Sequence, residues 1–129
     1  MKAITIQQPY AALIAEGIKE YEFRTWKTAY RGPLLIHAGK GMDKKACSRF
    51  ALYNLDYLAG AVIAKAELTD CIAVDDAFRR HLQEKNPEVY AGIIEDTTWK
   101  GYAFKLERVE KLAPVLMNGK LSLWECDIE

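Results

Sequence analysis

Four charged side chains, Lys19, Glu20, Glu22 and Arg24, crowd the stretch Gly17-Ile18-Lys19-Glu20-Tyr21-Glu22-Phe23-Arg24. On a strand beginning near Glu20, Glu22 and Arg24 are two residues apart and point to the same side. Lys19 falls just before them, at a helix-to-strand junction. One spot can therefore receive an ammonium, a carboxylate and a guanidinium. Arginine offers a planar fork that suits a phosphate or a base edge. Lysine supplies a compact charge, or a base or nucleophile once burial lowers its pKa. Glutamate can accept from an exocyclic amine or move a proton. Trp26 continues the parity of Arg24 and could stack on a base. An ordinary surface ion cluster worth about 0–1 kcal/mol is the competing reading of the same residues.

Other polar groups stand in range of this cluster. Gln8 can offer both a donor and an acceptor to a base edge, or serve the start of the helix that follows Pro9. His37 interrupts the apolar run Leu34-Leu35-Ile36-His37-Ala38, and reads either as a half-buried hydrogen-bonded side chain or as a polar group in a cleft. Gly39-Lys40-Gly41 reads as a flexible basic loop whose backbone N–H groups could approach a phosphate. It lacks the spacing of a P-loop. Lys44, Lys45 and Arg49 add charge to the next helix, as a solvated face or as a nucleic-acid patch. Tyr10, Tyr102, Phe104 and Trp124 read as core aromatics.

The elements that must position these groups follow from periodicity. Lys2 to Ile6 reads as a strand. A short amphipathic helix follows Pro9, carries Tyr10, Leu13 and Ile14 on one face, and stops at Gly17. Strands are expected at Tyr21–Thr25, Leu34–Ala38, Gly60–Thr69, Tyr102–Val109 and Leu121–Ile128. Helices are expected from an Asp43 cap to about Leu52, and from Asp75 or Asp76 to near Asn86-Pro87. About six strands and three helices, not arranged as βαβ repeats, indicate an α+β class. The expected architecture is a small, mostly antiparallel barrel of five to seven strands. No repeat or linker is evident, so residues 1–129 read as one domain.

Composition narrows the classes. The chain has 129 residues, half of them hydrophobic and 28% charged, which excludes disorder, collagen and coiled coil. Its 18 basic and 18 acidic residues cancel. The first 49 residues nevertheless hold 9 Lys/Arg against 4 Asp/Glu, which hints at a basic face. Cys47, Cys71 and Cys126 form no C-x-x-C pair and have no ligand spacing with His37 or His81, so neither a metal nor another cofactor is expected. No apolar run reaches the ~20 residues of a membrane span. Met1 to Pro9 has no signal-peptide pattern, so a cytoplasmic protein is expected.

The stretch Gly17 to Arg24 resembles the G-x-K-x-x-E-x-R motif of the ASCH domain family, within the PUA-like superfamily. Ile6-Gln7-Gln8-Pro9-Tyr10 resembles its opening QPW segment, with Tyr10 in place of Trp. Arg24 to Thr28, Tyr30 to Ala38, and Gly119 to Glu125 resemble later segments, so the likeness runs through the chain. It implies a β-barrel with packed helices and a cleft lined by the motif. It also implies RNA or nucleotide recognition in a cleft lined by the motif; strand parity and the Gly-rich segment add Gln8, Trp26, His37 and Lys40 to Lys19, Glu22 and Arg24 as binding candidates. Some members of the family are enzymes. Those that hydrolyse N4-acetylcytidine carry a Thr where this chain has Glu22, so here Lys19 would act as base and Glu22 as proton shuttle. A ribonuclease would use Lys19 or Arg24 to stabilise phosphorane charge and a base such as His37. A third reading is a small-molecule sensor or interaction module.

Overall fold

The computed structural model describes residues 1–128. Six strands form one sheet: β1 (Lys2–Gln8), β2 (Tyr21–Arg24), β3 (Gly32–Met42), β4 (Ala61–Ala73), β5 (Tyr102–Leu116) and β6 (Leu123–Glu125). The helices are α1 (Tyr10–Ala15), α2 (Lys44–Arg49), α3 (Asp76–Lys85) and α4 (Ala91–Glu95). A short 3-10 turn covers Ala51–Tyr53. The strand order is β2-β5-β4-β3-β1-β6, antiparallel except for the parallel β1–β3 pair. The α+β class and strand number agree with the sequence. The expected barrel closure does not occur: no pairing joins β2 to β6 among the described residues, and the sheet stays open.

Alternation along β1 divides the core. Ile4 and Ile6 pack with Leu34, Ile36, Ala64, Leu68 and Phe104 against α1. Ala3 packs on the other face with Leu35, Val62 and Trp124. A third group, Leu13, Tyr21, Phe50, Phe78, Leu82 and Tyr90, ties the helices to β2 and β5. At about 25 cal/mol per Å² of apolar surface removed from water, these clusters supply the main drive to fold.

Local signals place most of the helix starts. Asp43 caps α2 by accepting from the Ala46 amide at 3.1 Å, and Asp75 caps α3 through Phe78 at 2.8 Å. Gly17, at φ +75°, ends α1 as expected. Five details differ, the first being α4, where the sequence led to no expected helix. Gly39-Lys40-Gly41 is not a flexible loop but part of β3, which pairs with β1 as far as Met42. A side chain at position 39 would lie 2.9 Å from the Thr5 methyl, so glycine here permits close strand contact instead of breaking the strand. The helix expected to reach Leu52 ends at Arg49, and Leu52 is almost fully exposed. The strand expected over Leu121–Ile128 shrinks to Leu123–Glu125, while β5 runs on to Leu116.

Gln8 joins α1 to the loop before β4. It is wholly buried, its Oε1 accepts from the Ala12 amide at 2.9 Å, and its Nε2 donates to the Leu58 carbonyl at 3.0 Å. Gln8→Ala would orphan both backbone groups. Urea unfolding is expected to record a loss of about 2–4 kcal/mol, the sum of two unmet buried partners. A change below experimental error would contradict this role.

Candidate nucleic-acid interface

The geometry around Lys19 begins at the end of α1. Gly17 turns the chain, and the amides of Ile18 and Lys19 both donate to the Leu13 carbonyl, at 2.9 and 3.1 Å. That turn drives Lys19 inward as β2 starts, leaving it 3% exposed. Its Nζ donates to the Tyr21 carbonyl and to Glu22 Oε1, the latter at 3.2 Å. It also lies 4.9 Å from the centre of the Phe23 ring and 5.7 Å from that of Tyr10.

Glu22 uses its second oxygen on Arg24. Oε2 accepts from Arg24 Nε at 3.0 Å and lies 2.9 Å from Nη2. Arg24 Nη2 also donates to the Thr5 carbonyl at 2.7 Å, which ties β2 to β1; Nη1 takes no part in these bonds. One nearly buried carboxylate thus bridges two cations, and the trio keeps a formal charge of +1. This is a structural ion network facing a cleft, not an exposed salt bridge.

The cleft has a volume of about 570 Å³. Lys19, Glu22 and Arg24 line it, together with Lys40, Arg49 and the rings of Tyr10, Phe23 and Tyr90. Gly92 and Ile93 of α4 close the far side. Four cations therefore face one carboxylate that is already engaged by two of them.

Burial pushes the Lys19 ammonium below the ordinary lysine range; Glu22 opposes that shift, and Arg24 adds to it. Tyr10 is pushed up to about 12 by burial and by its 2.8 Å hydrogen bond to Asp43. The Asp43 carboxyl is held below its usual range, first by the Ala46 amide and then by Tyr10. The Tyr10–Asp43 bond connects α1 to the cap of α2, whose last residue is Arg49.

The structure brings Lys19, Glu22, Arg24 and Lys40 to one cleft. It does not bring Gln8, Trp26 or His37 there. Gln8 is sealed by its two backbone bonds. Trp26 lies edge-on to Phe104 with ring centres 5.1 Å apart, packed on the core. His37 is 1% exposed, bonds the Met117 carbonyl at 2.7 Å through Nε2, and lines a neighbouring cavity. In the sequence, Tyr10 reads as a core aromatic, Arg49 as one of the charges of α2, and Phe23, Tyr90 and Ile93 carry no signal of their own. The contact linking α1 to α2 spans 33 positions, so local spacing carries no signal for Arg49.

The family model of the ASCH domain matches residues 4–113. The chain belongs to the ASCH domain family. Over 98 residues it is 32% identical to activating signal cointegrator 1 of Mus musculus and 29% identical to that of Homo sapiens. The aligned stretch covers 67% of this chain but only 16% of either cointegrator. Among solved structures, ASCH from Zymomonas mobilis matches with a TM-score of 0.61 at 19% identity, over 98% of this chain and 87% of that one. A serine-to-alanine mutant of the same protein matches with a TM-score of 0.57 at 19% identity, over 90% of this chain and 73% of that one. These structural likenesses concern the fold.

A titration tests the ion network. Observed by NMR through its Cε, Lys19 is expected to deprotonate at lower pH than the other lysines. Its folded pKa is depressed, so between that value and its unfolded value the unfolded chain binds more protons and Lys19 makes stability rise with pH. Glu22→Gln removes the group that opposes burial, so the Lys19 pKa is expected to fall further. An ordinary lysine titration in both proteins would contradict the network.

Proposed function

We propose that the cleft binds RNA or a nucleotide, with phosphate held by Arg24, Lys40 and Arg49 and a base set against the half-buried rings of Tyr10 and Phe23. The observation that carries this reading is the cleft's unbalanced charge. Glu22 is consumed by Lys19 and Arg24, so Lys40 and Arg49 face the cavity with no second carboxylate lining it among the described residues. Membership of a family associated with RNA or nucleotide recognition supports the same assignment. The half-buried rings of Tyr10 and Phe23 supply apolar faces that a bare anion site would not need.

A hydrolytic reading rests on Lys19 standing buried on the cleft wall beside Glu22 at 3.2 Å, where burial pushes its ammonium below the ordinary lysine range. In that reading Lys19 serves as base and Glu22 as proton shuttle toward the amide of an N4-acylated cytidine. A ribonuclease using His37 as base has weaker support, because His37 lines the adjoining cavity and its Nε2 is engaged by Met117.

Fluorescence anisotropy with a short single-stranded RNA tests the binding reading. Affinity is expected to fall steeply between about 50 and 200 mM salt. Lys40→Ala and Arg49→Ala are each expected to reduce the log–log salt slope by about 0.7, one phosphate contact apiece. Salt-independent affinity, unchanged by either substitution, would overturn it. Turnover of N4-acetylcytidine by the wild type, abolished in Lys19→Met, would instead establish the hydrolase; absence of turnover removes that reading.

A further inference from the structure

The cavity beside His37 shares a wall with the main cleft. It measures about 450 Å³ and is lined by Thr5, His37, Gly39, Lys40, Gly60 and the segment from Met117 to Leu121. Thr5, Gly39 and Lys40 line both spaces. Lys40 therefore stands at the boundary between two concave surfaces, one on each side of its chain.

We propose that this second cavity is a subsite for the neighbouring nucleotide of a single-stranded RNA, with the phosphodiester between the two nucleotides held at Lys40. The proposal rests on the reading of the main cleft as a nucleotide site. It extends that site into residues beyond the stretch matched by the ASCH model, which ends at 113.

Charge is the first support. Lys40 and Lys120 line the second cavity, and no acidic residue does among the described residues. Across both spaces five cations face one engaged carboxylate, the pattern expected for a polyanion track. Lys120 Nζ also lies 6.0 Å from the centre of the Trp124 ring.

A buried acceptor is the second support. His37 Nε2 faces the Met117 carbonyl, so that nitrogen carries the hydrogen and Nδ1 presents a lone pair. Nδ1 is buried and has no hydrogen-bond partner. Leaving such a group unmet is costly, and a donor from a ligand would relieve the cost. A ribose hydroxyl is a donor of the required kind, and the 2′-hydroxyl is the group that marks RNA. Gly119 covers this edge of the ring. A Cβ there would fall 2.4 Å from Thr5 Oγ1 and 2.9 Å from His37 Nδ1, so the segment lies against the ring only because position 119 is glycine. The ring edge therefore faces the Gly119 segment that walls the cavity, and a hydroxyl would reach Nδ1 only by displacing Gly119, whose loop is exposed. An acidic peptide would use the charges but has no base to set on the Tyr10 and Phe23 rings of the main cleft.

The test compares a nucleoside 5′-monophosphate with the corresponding di- and tetraribonucleotides, on wild type and on Lys120→Glu. Position 120 is exposed, so this variant is expected to fold, which thermal melting checks. Wild type is expected to bind the dinucleotide about tenfold or more tightly than the monophosphate, the scale of one added charge-assisted contact. Lys120→Glu is expected to erase that gain while leaving the monophosphate affinity unchanged. Equal affinity for one and two nucleotides overturns the subsite and leaves the main cleft standing. Binding of none of the probes overturns both. Competition by a polyglutamate peptide as strong as that by the dinucleotide also overturns the proposal, in favour of a general acidic-ligand groove.

Discussion

Glu22 is the group on which the cleft depends. Lys19 is almost wholly buried, and an unpaired buried ammonium would cost several kcal/mol. Glu22 answers it with one oxygen and holds Arg24 with the other, and Arg24 in turn reaches the Thr5 carbonyl on β1. The trio thus joins the turn after α1, strand β2 at the sheet's edge, and strand β1 near its opposite edge. Removing only the carboxylate would strand two cations, a change of about 3–5 kcal/mol by comparison with other broken buried pairs.

The remaining walls are fastened to this network by polar contacts between distant segments. Tyr10 donates to Asp43 and so fixes α2, with Arg49 at its end, against α1. Tyr90 accepts from the Glu20 amide at 2.8 Å and brings the approach to α4 beside β2. Buried Arg79 of α3 donates to the carbonyls of Ile93, Asp96 and Trp99, which holds the far wall in place. α4 has only five residues and would be marginal alone; those three bonds and the packing of Tyr90 keep it formed.

Legibility in the sequence follows the range of the forces. Helix caps at Asp43 and Asp75, the stop at Gly17 and the shared parity of Glu22 and Arg24 are local, and they read correctly. Strand pairing is not local. Gly39-Lys40-Gly41 looks like a loop because glycine weakens a strand, but close approach to Thr5 requires glycine there. α4 leaves no clear periodic trace because its stability comes from Arg79, fourteen residues from the first carbonyl it meets. Burial of Lys19 is equally invisible in the sequence. Charge alone sets Arg24 against Glu22 around it, whereas the turn at Leu13 adds the desolvation that lowers its pKa.

RNA binding in the cationic cleft organised by Glu22 is tested most directly by backbone and side-chain NMR of the protein titrated with a short single-stranded RNA. The largest shift changes are expected on Arg24, Lys40, Arg49, Tyr90 and Ile93, and they are expected to recede as salt is added. Changes confined to the outer faces of β4 and β5, or none at all at saturating RNA, would contradict binding at this cleft.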